Sequence, residues 1–197
     1  MRAPDYTRYY WKNDLIRLRL ATMDGWESHF YNYFDSESRF LLDAEIELPP
    51  DVGRSKRVWA EFVSPDAKHG RTVFAIENAE GKTVGTMNLY SVDQRNGTFS
   101  LGIQINVDER GNGYGTAAMR MVMAYAFREL RLHKCNSGYI NIKGNVASQR
   151  MHEKLGFKVE GIIRESVYHN GKYWDDVRCG ITDSEFFAND ELCDNPA

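Results

Sequence analysis

Residues 110–116 read Arg-Gly-Asn-Gly-Tyr-Gly-Thr. Alternating glycines leave the loop poor in side chains and let its backbone come close to whatever lies against it. Arg110 adds a formal positive charge at the entrance. Apolar residues at helical spacing follow at once, Ala118, Met121, Val122, Tyr125 and Leu130, so the loop opens a helix from Thr116 to about Leu130. The first N–H groups of a helix have no partner within it, and the helix dipole places about half a positive charge there. The chemistry this suits is the binding of an anion, above all a phosphate or pyrophosphate. Two better-known phosphate loops are excluded. Gly115 is followed by Thr116-Ala117, not by Lys-Ser or Lys-Thr, and Gly-x-Gly-x-Gly is one residue short of Gly-x-Gly-x-x-Gly.

The elements that must position this loop are legible from period and turns. Residues 15–20 alternate apolar and charged side chains as a half-buried strand does, and 22–34 read as a helix start with Gly25 inside it. Residues 35–70 are helix and loop, broken at Glu47-Leu48-Pro49-Pro50-Asp51. Segments 72–78, 83–90 and 98–106 are rich in β-branched and aromatic residues and form an antiparallel meander, the glycine loop following its third strand. Residues 134–142 make a further strand. Asn145 is placed to cap a helix over 146–155 that Gly156 closes. Asn170-Gly171 turns a final hairpin. The expected fold is α/β (α+β), a single domain whose mixed central sheet of about seven strands is flanked by about four helices. Its expected limits are 14–186, with 1–13 as an N-terminal extension and 187–197 as a tail.

Hydrophobic residues are 42% and charged residues 27% of the 197, and the net charge is −3, which disfavours a nucleic-acid binder working through a basic surface. The N-terminus shows no apolar core of a secretory signal and no run approaches a membrane span, so neither membrane nor export is expected. Cys135, Cys179 and Cys193 suit a reducing cytoplasm better than a disulfide framework, and no Cys–His spacing suggests a metal. Charge is uneven. From Asp24 to Asp51 the segment carries −7, leaving +4 for the rest of the chain. Trp26, Glu27, Tyr31, Asp35 and Glu37 lie in that segment. Aromatics mixed with acids suit a cationic amine, and the same stripe equally describes a solvated helix packed on a core.

The loop resembles the pyrophosphate loop of the GNAT acetyltransferases, [RQ]-x-x-G-x-[GA], at Arg110, Gly113 and Gly115. Residues 145–161, Asn-Val-Ala-Ser-Gln-Arg-Met-His-Glu-Lys-Leu-Gly-Phe-Lys-Val-Glu-Gly, and the hairpin 168–175 resemble the RimJ/RimL-like branch, which acts on ribosomal proteins and spermidine. The resemblance implies an N-acetyltransferase that uses acetyl-CoA as cosubstrate, without a metal, on a small-molecule or peptide amine, with a homodimer compatible. By position, Ile103, Gln104 and Ile105 would offer backbone groups to the pantetheine arm and the thioester. Arg110, Gly111, Asn112, Gly113, Tyr114, Gly115 and Thr116 would cradle the pyrophosphate, and Asn145 and Ser148 would contact the pantetheine end.

One departure matters. Where spermidine-type members carry a tyrosine that protonates the leaving thiolate, this chain has His152. A histidine titrates near neutrality and can do that work, as can Ser148, and a histidine of no catalytic consequence fits equally. Glu165, on the strand after Gly161, is the candidate base; Glu160 is similar but nearer to a structural part of the motif. The acceptor is expected to be cationic, a protein N-terminus, a polyamine or an aminoglycoside. A non-catalytic acyl-CoA-binding module would keep Arg110 to Gly115 and lose the acid and base.

Overall fold

The structure, a computed structural model, describes residues 5–44, 46, 48–64, 71–142 and 145–189. Glu45, Glu47, Cys193, the end of the 35–70 segment and most of the expected tail lie outside the described residues. β1 (Ile16–Leu20) leads into α1 (Trp26–Asn32), α2 (Ser36–Asp43) and α3 (Val52–Phe62). The meander β2 (Thr72–Asn78), β3 (Thr83–Asp93) and β4 (Thr98–Ile105) precedes α4 (Tyr114–Arg128). Then come β5 (Lys134–Asn141), α5 (Val146–Leu155), β6 (Lys158–His169), β7 (Lys172–Thr182) and α6 (Asp183–Ala188). The seven strands form one sheet in the order β1-β2-β3-β4-β5-β7-β6. Only β4 and β5 run parallel; the other neighbours are antiparallel.

The expected mixed sheet is present, with six α-helices instead of about four among the described residues. The segment after β1 splits into short helices because aspartates restart it. The Asp35 carboxylate accepts from the Ser38 N–H at 3.2 Å, and Asp51, after Pro49-Pro50, accepts from the Arg54 N–H at 2.7 Å. A reciprocal cap between Thr182 and Glu185 starts α6. At the Asn170-Gly171 turn both residues take positive φ, 49° and 77°, the conformation that a two-residue hairpin of the expected type needs.

Alternation along β2 builds a core on each face of the sheet. Phe74 and Ile76 face α4, which buries Met119, Val122, Met123 and Phe127 against them and the neighbouring strands. Each such side chain contributes about 1.5–3 kcal/mol when fully buried. Val73 and Ala75 face the other way, under Trp59 of α3. Trp11, before β1, packs against the first of these cores. The Trp11 ring lies 5.2 Å from that of Phe74 and 4.7 Å from that of Tyr125, and the Leu18 N–H donates to the Trp11 carbonyl at 2.8 Å. Cys135 and Cys179 are free and buried.

Candidate active site

β4 and β5 pair only at Thr98–Lys134, Phe99–Cys135 and Ser100–Asn136. Beyond that point β4 stays paired with β3 as far as Ile105 and β5 stays paired with β7 as far as Asn141. The two strands therefore diverge, and the backbone groups they turn toward each other lose their ladder partners. Buried backbone N–H and C=O groups need partners, so such a gap invites a ligand with amides of its own. A cavity of about 1060 Å³ fills it.

The glycine loop closes one end of this gap. Gly111 and Gly113 adopt φ of +82° and +81°, where a side chain is strained, and Gly113 is the N-cap of α4 with no side chain to satisfy the first turn. The helix starts at Tyr114, two residues earlier than expected, so Gly115 and Thr116 lie within its first turn and their N–H groups belong to the anion-binding end. Every residue assigned above to the cofactor lines this one cavity, from Ile103–Ile105 through Arg110–Thr116 to Asn145 and Ser148. Two of them behave differently from expectation. Arg110 points away from the loop: its Nη2 donates to Asp35 Oδ2 at 2.8 Å and its Nε to the Ile105 carbonyl at 3.2 Å. Asn145 makes no side-chain cap; its buried amide donates to the Ile140 carbonyl at 2.9 Å and so ties the start of α5 to the end of β5.

Partial burial opposes ionisation of Asp35, but hydrogen bonds from Ser38 and Arg110 outweigh it and hold its carboxyl below the usual range. Asp35 thus caps α2 and anchors it to the glycine loop. Of the five residues read as an acceptor site, Asp35 and Glu37 border the larger cavity, beside the loop. Glu27 and Tyr31 are exposed and line neither cavity, and Trp26 packs on the second core with Lys56 4.1 Å above its ring. The described acids of the segment are therefore not gathered round one pocket. Glu165 lines neither cavity. It sits at φ +52° in the irregularity between Ile163 and Val167, exposed, with its N–H bound to Asp175 Oδ1 at 2.9 Å. Glu160 borders the larger cavity but is paired to Lys134 at 2.6 Å.

His152 is buried between Tyr139 and Phe157. Its Nδ1–H donates to the Ser148 carbonyl at 2.7 Å, since a carbonyl can only accept, and its Nε2 then accepts from the Ser137 hydroxyl at 2.8 Å. Ser137, the first residue of β5 beyond the point of divergence, was not read from sequence; nothing in the spacing of residues 137 and 152 announces the pair. Burial lowers the pKa of His152, opposed by its backbone hydrogen bond. The folded protein therefore binds fewer protons at His152 than the unfolded chain below about pH 6.5. The stability that neutral His152 contributes is complete above that pH and is lost as pH falls toward the depressed folded value. Wild type is expected to lose more melting temperature between pH 7.5 and 5.5 than His152→Gln does. Parallel pH profiles for the two proteins would refute the buried neutral ring.

A second cavity of about 550 Å³ opens on the opposite side of the sheet, between α1, α2, α3 and strands β2–β4. It shares Leu42, Tyr90 and Gly102–Gln104 with the first, so the two meet at the divergent part of β4.

Two cavities thus meet where a parallel strand pair opens, and a glycine-rich helix start floors one of them. A family model described as an acetyltransferase (GNAT) domain matches residues 16–158, and the chain belongs to that family. It is an N-acetyltransferase. The chain is 28% identical, over 91% of its length and 97% of the relative's, to YokL, an uncharacterized SPbeta prophage-derived N-acetyltransferase of Bacillus subtilis. It is 26% identical to the spermidine N(1)-acetyltransferase of Vibrio cholerae, over 60% of this chain and 67% of that one. Its fold superposes on the crystal structure of the Vibrio cholerae spermidine N-acetyltransferase in complex with CoA and spermine, with a TM-score of 0.76 at 20% identity, covering 89% and 99% of the two chains. Among the described residues no group of three His, Cys, Asp or Glu could hold a metal, and no helix is long and apolar enough to cross a membrane.

Proposed function

We propose that this chain moves the acetyl group of acetyl-CoA to a primary amine in a ternary complex, the cosubstrate in the larger cavity and the amine in the smaller. The observation that carries the reading is the divergence of β4 from β5 after Ser100–Asn136, opposite a helix start left uncapped by Gly113. Backbone groups of β4 freed by the divergence stand ready for the pantetheine amides and for the oxygen on which charge develops. Such donors are worth a few kcal/mol when preorganised. The pyrophosphate lies on the N–H groups of the loop and the first turn of α4.

The proton for the leaving thiolate does not come from His152. Its Nδ1 proton is held by the Ser148 carbonyl and its Nε2 carries none. The Ser148 hydroxyl borders the same cavity, makes no hydrogen bond among the described residues, and is the group we assign to that proton. His152, which also lines the larger cavity, instead fixes Ser137 by accepting from its hydroxyl. Of the described acids of 24–51 only Asp51 lines the smaller cavity, and it caps its own helix, which gives a polyamine acceptor no support there.

Thiol release from acetyl-CoA, followed with a panel of amines, tests the reading. Amine-dependent release in step with acetylated product is the expected result. Binding of CoA with no release for any amine would leave an acyl-CoA-binding module and overturn it.

A further inference from the structure

We infer that the acceptor is a small primary amine that also carries a carboxylate; the inference rests on the acetyl-transfer reading and names its acceptor class. The smaller cavity is lined by three arginines, Arg39, Arg54 and Arg71. Arg39 is buried at the wall, with its guanidinium 4.7 Å from the centre of the Tyr33 ring. Arg54 and Arg71 form no ion pair with any described residue. Arg71 is held by rings alone, 4.3 Å above Phe62 and 5.5 Å from Tyr90, so its planar fork is positioned without being neutralised. Among the described lining residues the one carboxylate is Asp51, and its Oδ1 is committed to the Arg54 N–H that begins α3.

Two uncompensated guanidiniums beside one small cavity match a carboxylate, which they can grip in two-pronged fashion. They repel a polyamine. The floor of the cavity has the opposite character. The side-chain amides of Asn88 and Gln104 make no hydrogen bond among the described residues, and Asn88 Oδ1 is a buried acceptor with no partner. Gln104 lies where the two cavities meet, the place that an attacking amine must reach. An amine at the floor and an anion at the arginines give the acceptor its polarity. A volume of about 550 Å³ accommodates an amino acid or a dipeptide.

The experiment compares acceptors with and without their carboxylates: lysine with cadaverine, and the dipeptide Ala-Glu with its diamide. The first pair reads a free amino acid and the second an acidic peptide terminus. Binding is followed by intrinsic tryptophan fluorescence in the presence of CoA, and turnover by thiol release. In at least one pair the carboxylate-bearing member is expected to bind about tenfold or more tighter. The double variant Arg54→Gln, Arg71→Gln is expected to bring that ratio close to one while the Kd for CoA stays as in wild type. Equal or tighter binding of cadaverine and the diamide, or a ratio unchanged in the double variant, overturns the inference. Because binding is read separately, a preference seen without thiol release would overturn acetyl transfer and leave the charge assignment standing. Release with spermidine in preference to the carboxylate-bearing amines would do the reverse.

Discussion

Replacing Gly113 with valine is expected to weaken acetyl-CoA binding by about a hundredfold or more, which is roughly 2.7 kcal/mol, while the protein stays folded. Gly113 holds φ at +81°, a conformation that costs an L-residue about 1–2 kcal/mol and a β-branched one more. A Cβ there would meet nothing closer than Leu15 Cδ2 at 3.6 Å, so the protein itself has room for it. That neighbour does not line the larger cavity, so the loss is expected through the backbone: the shift that relieves the strain moves the N–H groups of the first turn of α4. The control is Gly115→Ala. Gly115 is not at positive φ, and its Cβ would make ordinary contacts with Ile103, Ile105 and Met151 at 3.5, 3.6 and 3.7 Å. Alanine also favours a helix by roughly 0.5–1 kcal/mol over glycine. The two positions are expected to separate by more than about tenfold in Kd for CoA when measured by calorimetry, with circular dichroism showing both variants folded. Wild-type affinity in a folded Gly113→Val protein would remove the loop from the binding site.

The same contrast shows which parts of this molecule a sequence can reveal. The meander, the hairpin at Asn170-Gly171 and the glycine loop are local: period, turn residues and helix start lie within a few positions of one another. The residues that line the larger cavity were legible because the loop and residues 145–161 are each contiguous motifs. The smaller cavity is different. Its arginines come from α2, α3 and the approach to β2, and its floor from β3 and β4. No spacing rule joins Arg54 to Asn88. The described acids of the acidic stretch are dispersed for a related reason. Charge counted along the chain ignores that Asp35 turns to Arg110, Asp51 to the start of its own helix, and Asp24 to Arg19 at 3.0 Å. Glu165 looked like a strand carboxylate beside the site, but the bulge after Ile163 carries it out of register and out to solvent.

Trp59→Ala is expected to lower the unfolding free energy by about 3–5 kcal/mol. For a chain of this size that corresponds to a fall in melting temperature on the order of 10 °C. Trp59 is 1% exposed and is the largest side chain of the core between α3 and the sheet, packed with Ala21, Val73 and Ala75. Its removal leaves a cavity among small neighbours that cannot close it, and leaves the Thr22 carbonyl without the Nε1–H that reaches it at 3.0 Å. The ring also lies 4.9 Å from His29 and borders the smaller cavity, so acceptor affinity falls with stability, whereas CoA, held on the opposite face by α4 and the glycine loop, keeps its Kd. A second variant separates packing from a general weakening. A Cβ at Gly25 would come within 2.8 Å of Trp59 Cζ2, which is why a glycine stands at the mouth of α1. Gly25→Ala alone is therefore expected to destabilise the protein, and in the Trp59→Ala background the same change is expected to cost much less, because the methyl enters vacated space. Additive losses in the double variant would mean that the indole and Gly25 are not in contact. The packing that lets α1 and α3 close over the second cavity would then need another explanation.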